Sequence, residues 1–138
     1  MRLFLDASVL LAACGSATGA SREIFRLAPQ HGWVLIATPY VIGEVLNNLG
    51  DFPPDASAVW AKLRTELLML GDVLSLDRPV VFPASKDRPI LFSALAWADV
   101  LLTRDTGDFG GMLGRSFYEL LVLTPGNFLQ RERAAGRL

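Results

Sequence analysis

The chain is poor in sulfur and imidazole. Its 138 residues include one cysteine, Cys14, and one histidine, His31. A lone cysteine excludes an internal disulfide. Cys14 lies in an apolar run, as expected of a small core residue in a reducing, cytoplasmic setting. One His and one Cys cannot build a zinc site of the usual kind. A Ser-His-Asp triad would have to use His31, which stands beside Gly32 between two predicted elements with nothing near it to complete the set. No apolar run reaches the roughly 18 residues of a membrane helix. The apolar start from Met1 to Leu11 is interrupted by Asp6, so it reads as a first buried strand rather than a leader. Excess charge is missing too. The net charge is −1, which provides no global positive field for a nucleic acid, so such a partner would need a local basic patch.

What is present is apolar material. Hydrophobic residues make up 51% and charged residues 20%, enough for one folded domain spanning residues 1–138. The basic residues are mostly Arg, which suits bidentate phosphate contacts. There is no repeat, low-complexity tract or dividing linker.

Punctuation by Gly, Pro and capping residues divides the chain into alternating strands and helices. Arg2 to Leu5 predicts a buried strand ending at Asp6, with Asp6 or Ser8 placed to cap a helix through Cys14. Ser21 is placed to cap a second helix, Arg22 to Ala28, closed by Pro29 and Gly32. Trp33 to Ala37 predicts a second strand. Thr38-Pro39 combines a cap with proline at the first helical position and opens a helix to Asn48 or Leu49. A helix from Asp55 to Leu70 follows, then a short strand at Val73 to Leu76. Pro79 to Pro83 reads as extended, Lys86 to Trp97 as helix, and Val100 to Thr103 as strand. Arg104 to Gly111 reads as loop and Leu120 to Leu123 as a last strand. Thr124-Pro125 opens a final helix. The strands are continuous apolar runs, which implies an α/β three-layer sandwich: a central parallel sheet flanked by helices on both faces.

In such sheets sites form at the carboxyl ends of the strands. Asp6 directly follows one strand and Asp105 follows another by one residue, so two parallel central strands would bring both to one edge. A cap and a turn residue are the plainer readings of the two. On a helical wheel Asp87 shares a side with Ile90, Leu91, Ala94 and Ala98, a costly place for an acid without a partner; its plainer role is a first-turn acid favoured by the helix dipole. Glu44 flanks the stripe of Val41, Ile42, Val45 and Leu49, and is the only acidic or basic side chain from Thr38 to Leu49. Acids held together repel one another, and divalent cations are the natural remedy. Oxygen ligands without His or Cys select Mg²⁺ or Mn²⁺. Such clusters suit phosphodiester hydrolysis, with two ions about 4 Å apart in the paired version.

Three segments, LFLDASVLLA, PYVIGEVLNNL and KDRPILFSALAWADVLLTRDTGDF, together with the closing LTPGNFL, give the chain a resemblance to the PIN-domain ribonucleases, including the toxins of bacterial and archaeal toxin–antitoxin pairs. The segments span almost the whole chain. The resemblance implies that Asp6, Glu44, Asp87 and Asp105 are four catalytic metal-binding acids, with Asp108 a further, less constant one. It implies that Ser8 and Thr103 are hydroxyls that orient the acids. It further implies a PIN-like parallel sheet, RNA as substrate, Mg²⁺ or Mn²⁺ as cofactor, a homodimer, and an antitoxin whose tail enters the acidic groove. Arg104 stands where the family often has a small or polar residue, and either contacts phosphate or pairs with an acid. Lys86, Arg88 and Arg22 are further candidates for RNA contact, although solvation explains each equally well. Asp99 reads as a cap or turn residue.

Two other phosphoryl-transfer classes place an acid after the first strand. A haloacid-dehalogenase-type phosphatase would want an acid where Ser8 stands and a late Lys, but the last Lys is Lys86. A receiver domain would want Lys after its last strand, where LTPGNF stands. The stronger rival is a catalytically inactive PIN-fold binding or assembly module, against which the presence of all four acids counts.

Overall fold

The computed structural model describes residues 1–76, 82 and 85–138. Strand β1 (Arg2–Leu5) leads into α1 (Ala7–Gly15) and α2 (Ala20–His31), then β2 (Val34–Ala37), α3 (Pro39–Asn48), α4 (Ala56–Leu63) and the two-residue β3 (Leu68–Met69). Short 3₁₀ turns follow α3 (Leu49–Asp51) and α4 (Arg64–Glu66), and after the incompletely described stretch come a third (Ser85–Asp87), α5 (Arg88–Trp97), β4 (Val100–Leu102), β5 (Ser116–Phe117), β6 (Leu120–Leu123) and α6 (Pro125–Ala134). The sheet order is β3-β2-β1-β4-β6-β5. All neighbours are parallel except β5, which pairs antiparallel with β6. In β1, Leu3, Phe4 and Leu5 are all fully buried. Successive residues of a strand point to opposite faces, so both faces of the sheet are covered. This is the expected α/β three-layer architecture, with one antiparallel edge.

The chain leaves β1 in one direction across the sheet to reach β2 and in the other to reach β4. The switch point therefore lies between β1 and β4, where open α/β sheets place their ligands. Register makes that crevice specific. Leu5 pairs with Leu102, so Asp6 and Thr103 emerge side by side, and the Asp6 N–H donates to the Leu102 carbonyl at 3.0 Å.

Several boundaries differ from the sequence reading. The helix expected over Asp55 to Leu70 stops at Leu63. The Thr65 hydroxyl donates to the Lys62 carbonyl at 2.7 Å, a local bond that competes with helix continuation. Leu68 and Met69 then pair with Ile36 and Ala37, satisfying a backbone edge that a helix would leave open. The strand expected at Val73 to Leu76 is absent. That segment is pinned instead by side chains: the Val73 N–H donates to Ser93 Oγ at 2.9 Å, and the Trp97 ring N–H to the Gly71 carbonyl at 2.9 Å. Helix α2 begins two residues earlier than expected, with Gly19 rather than Ser21 at its cap, and passes through Pro29 to a left-handed Gly32 (φ 66°). The extended reading of Pro79 to Pro83 falls outside the described residues, Phe82 apart. Strand β5 was not expected; Tyr118 and Glu119, both with positive φ, make the two-residue turn that folds it onto β6. Among the described residues, no helix is long and apolar enough to cross a membrane.

Candidate active site

Asp6 occupies the N-cap of α1, and its Oδ1 accepts from the Ala7 N–H at 2.7 Å. Its other oxygen accepts from Ser8 Oγ at 3.1 Å and Thr103 Oγ1 at 2.8 Å. The carboxylate that caps α1 is thus also the one tied to the end of β4. Burial is the main influence on this group and raises its pKa, against the lowering effect of the two hydroxyls and the N–H.

Thr103, fully buried, carries a second duty. Its hydroxyl accepts from the Asp105 N–H at 3.0 Å, so one oxygen links the acids that follow β1 and β4. Ser8 Oγ likewise accepts from the Arg104 N–H at 3.0 Å. Asp105 closes its own turn: its Oδ1 accepts from the N–H groups of Gly107 and Asp108, both at 3.0 Å, a side-chain-built turn that costs no additional residue. Replacing Thr103 with Val is expected to destabilise the fold by about 1–3 kcal/mol, because Asp6 and the Asp105 N–H both lose a buried partner. Urea unfolding would read the change; a midpoint within error of wild type would refute this double role.

Asp87 ends the 3₁₀ turn that opens α5 and is 5% exposed. It meets Asp105 and Asp108: one oxygen from each of the three lies within 4.8 Å of the others. Asp87 Oδ2 has no hydrogen-bond partner among the described residues, and neither does the buried Glu44 Oε1. The Asp87 carboxyl is pushed up to about 7, first by burial and then by its hydrogen bond to Asp108 and that group's charge. Asp108 is shifted down, chiefly by the same hydrogen bond. The hydrogen bond between the two acids thus moves their pKa values in opposite directions. Glu44 is raised by burial first and by the Asp6 charge second, with Asp105 also contributing. The structure thus brings Asp87, Asp105 and Asp108 into one tight group; Asp6 and Glu44 lie outside its 4.8 Å limit and are joined to it through their fields.

A folded-state pKa raised above the unfolded value of 3.8 means that the native protein holds a proton the unfolded chain has released. Stability contributed by Asp87 is therefore present below about pH 4 and lost as pH rises toward about 7. Metal-free protein in EDTA is expected to unfold at lower urea concentration at pH 7.5 than at pH 5. Asp87→Asn should flatten that slope, and equal slopes in both proteins would overturn the assignment.

Five further residues complete the surroundings. Lys86 Nζ lies 3.6 Å from Asp108 Oδ2, and Asp108 and Asp87 raise its pKa in that order, so its charge is already directed at the acids. Arg88 Nε donates to the Phe82 carbonyl at 3.0 Å and Arg22 Nε to the Ala13 carbonyl at 2.7 Å; both hold backbone. Arg104 makes no ion pair with any acid among the described residues, which removes one of its two sequence readings. Asp99 accepts from the Arg2 N–H at 2.8 Å, near the amino ends of β1 and β4 and away from the cluster, as its turn reading requires.

Two residues that the sequence did not single out also matter. The Tyr40 hydroxyl donates to the Lys86 carbonyl, tying α3 to the start of α5. Its signal was visible, since Tyr40 sits one turn from Glu44 on the same helix face. Asp72 Oδ2 accepts from the Tyr40 N–H at 3.0 Å and does the capping that Thr38 was expected to do; Thr38 makes no side-chain cap bond. A partner 32 residues distant leaves no local trace in sequence.

The arrangement is an all-oxygen cluster of crowded acids with two buried oxygens unmatched. Unmatched buried carboxylate oxygens cost stability unless a cation or proton answers them. The residues therefore fit a hard divalent cation. No protein-family model matches the chain, and no curated protein matches it. Among solved structures the chain is similar to VapC20 of Mycobacterium tuberculosis, described as a sarcin-ricin loop cleaving toxin. The identity is 16%, the match covers 79% of this chain and 94% of that one, and the TM-score is 0.47.

Proposed function

We propose that the protein is a PIN-domain endoribonuclease that hydrolyses RNA phosphodiester bonds with Mg²⁺ or Mn²⁺. One observation carries the reading: three carboxylates converge at the switch point of a parallel sheet, with Asp87 Oδ2 and Glu44 Oε1 buried and unpartnered. Asp87, Asp105 and Asp108 would hold the cation, with Asp6 and Glu44 completing the negative field. A bound divalent cation supplies Lewis acidity toward a phosphoryl oxygen and lowers the pKa of water.

The chain's own residues supply position and charge. Ser8 and Thr103 lock the Asp6 carboxylate, so it need not reorganise as charge develops. The N–H groups of Gly107 and Asp108 occupy Asp105 Oδ1, which leaves its second oxygen for the cluster. Lys86 balances Asp108 from outside and stands ready to exchange that carboxylate for a phosphate oxygen. In the same reading the protein is the toxin of a toxin–antitoxin pair, a cytoplasmic homodimer silenced by an antitoxin segment entering the acidic groove. This part draws on the resemblance carried by LFLDASVLLA and TRDTGDF.

Purified protein should cleave a labelled RNA mixture with Mn²⁺ or Mg²⁺ and not with EDTA. Asp6→Asn and Asp105→Asn should remove the cleavage. Equal cleavage by wild type and variants would assign the activity to a contaminant or another site. No cleavage, with no metal effect on the melting temperature, would make the protein an inactive binding module.

A further inference from the structure

Past β4 the side chains divide between two places. Thr103 and Asp105 go to the acidic cluster. Arg104 and Thr106 go to a separate open cavity of about 620 Å³ at the same edge of the sheet. Its walls include the amino ends of two helices, α2 at Gly19 to Ser21 and α6 at Thr124 to Gly126, and the ring of Phe52. Among the described residues Arg104 is the only charged one lining it, and no acid does.

Both helix ends direct a positive partial charge into this space. At α2 the cap residue is Gly19, which has no side chain to accept from the first turn. The N–H groups of Ala20 and Ser21 consequently have no acceptor among the described residues. At α6, Pro125 has no N–H and Thr124 Oγ1 takes the Asn127 N–H at 3.2 Å. The Gly126 N–H is left.

The independent sign of a ligand is Ser21. Its side chain is buried, with the residue 4% exposed, and it lines the cavity. Its hydroxyl makes no hydrogen bond to another described residue, and its oxygen opens onto the cavity rather than being sealed in. The Arg104 guanidinium is unpartnered as well, while its backbone is held by Ser8 Oγ, the hydroxyl that also holds Asp6. One serine therefore ties the Arg104 backbone, beside the cavity, to the Asp6 carboxylate.

Resting on the nuclease reading, we infer that this cavity is a subsite for a backbone phosphate of the RNA strand flanking the bond to be cut. The phosphate sits on the amino ends of α2 and α6, with Ser21 and Arg104 donating, and Phe52 provides the apolar wall for the attached nucleoside. The separation of this subsite from the acids fixes which phosphodiester reaches them.

Gly126→Asp tests it. Nothing lies within 4 Å of a Cβ at Gly126, and an acid in the first turn of a helix is favourable, so the fold should hold or gain stability. Isotope-labelled protein in EDTA, where cleavage stops, is titrated with a single-stranded RNA hexamer and the amide shifts are followed. The amides of Ala20, Ser21 and Gly126 should move. The Kd should rise roughly tenfold in Gly126→Asp and in Arg104→Ala, and Arg104→Ala should lower the salt slope by about 1. Still amides at those three positions, or wild-type affinity in Gly126→Asp, would overturn the subsite. Movement with inorganic phosphate but not with the hexamer would reduce it to a small-anion site and overturn it too. Metal-dependent cleavage with an unchanged KM in Gly126→Asp would sink the subsite alone. A cavity that binds the hexamer in a protein that never cleaves would sink the nuclease alone.

Discussion

Asp105→Asn should lower kcat/KM for RNA cleavage by roughly 10³-fold or more while leaving the melting temperature of the metal-free protein close to wild type. The separation of the two effects follows from the atoms. Asp105 Oδ1 accepts from Gly107 and Asp108 at 3.0 Å each, and the amide oxygen of Asn can accept the same two bonds. The 105–108 turn is therefore kept. The second oxygen, which neither N–H occupies, becomes an NH₂ group, which cannot ligate a cation and directs donors at it. The check is single-turnover cleavage with Mn²⁺ beside thermal unfolding in EDTA. Cleavage within about threefold of wild type would remove Asp105 from the site. A large fall in melting temperature would show that its role in the turn is broader than those two bonds.

The second large effect is metal-linked stability. A cation that binds only the folded state adds about 2.7 kcal/mol at a concentration a hundred times its Kd. For a domain of this size that corresponds to roughly 10 °C in melting temperature. The rise should come with Mn²⁺ or Mg²⁺ and vanish with EDTA. Asp87→Asn should abolish most of it. The same variant should leave the metal-free protein at least as stable as wild type above pH 7, because it removes a buried charge that repels Asp108 and Asp6. The opposite signs in metal-free and metal-loaded protein distinguish a ligand from an ordinary helix-opening acid. Loss of stability in both states would mark Asp87 as purely structural.

Much of the fold was legible because it rests on local physics. Continuous apolar runs such as Leu3–Leu5 and Val100–Leu102 are buried on both faces and allow little besides a parallel sheet. Thr124-Pro125 opens α6 as read, with the Thr124 hydroxyl accepting from Asn127. The misread stretch, Arg64 to Leu76, is governed by distant partners. Leu68 and Met69 leave the helical pattern because the edge of β2 needs pairing. Gly71, Asp72 and Val73 are held by Trp97, Tyr40 and Ser93.

The candidate site divides in the same way. Sequence alone determined which acids are present, that Asp6 and Asp105 follow strands, that Asp87 lies on an apolar helix side, and that sulfur and imidazole chemistry are excluded, since composition and periodicity are properties of the chain itself. Only the tertiary structure decided that Asp87, Asp105 and Asp108 meet within 4.8 Å, that Thr103 joins Asp6 to Asp105, and that Lys86 is directed at Asp108 while Arg104 lines a cavity. Those outcomes depend on strand register and on which way each residue of a loop points, and both are set by contacts between segments far apart in the chain.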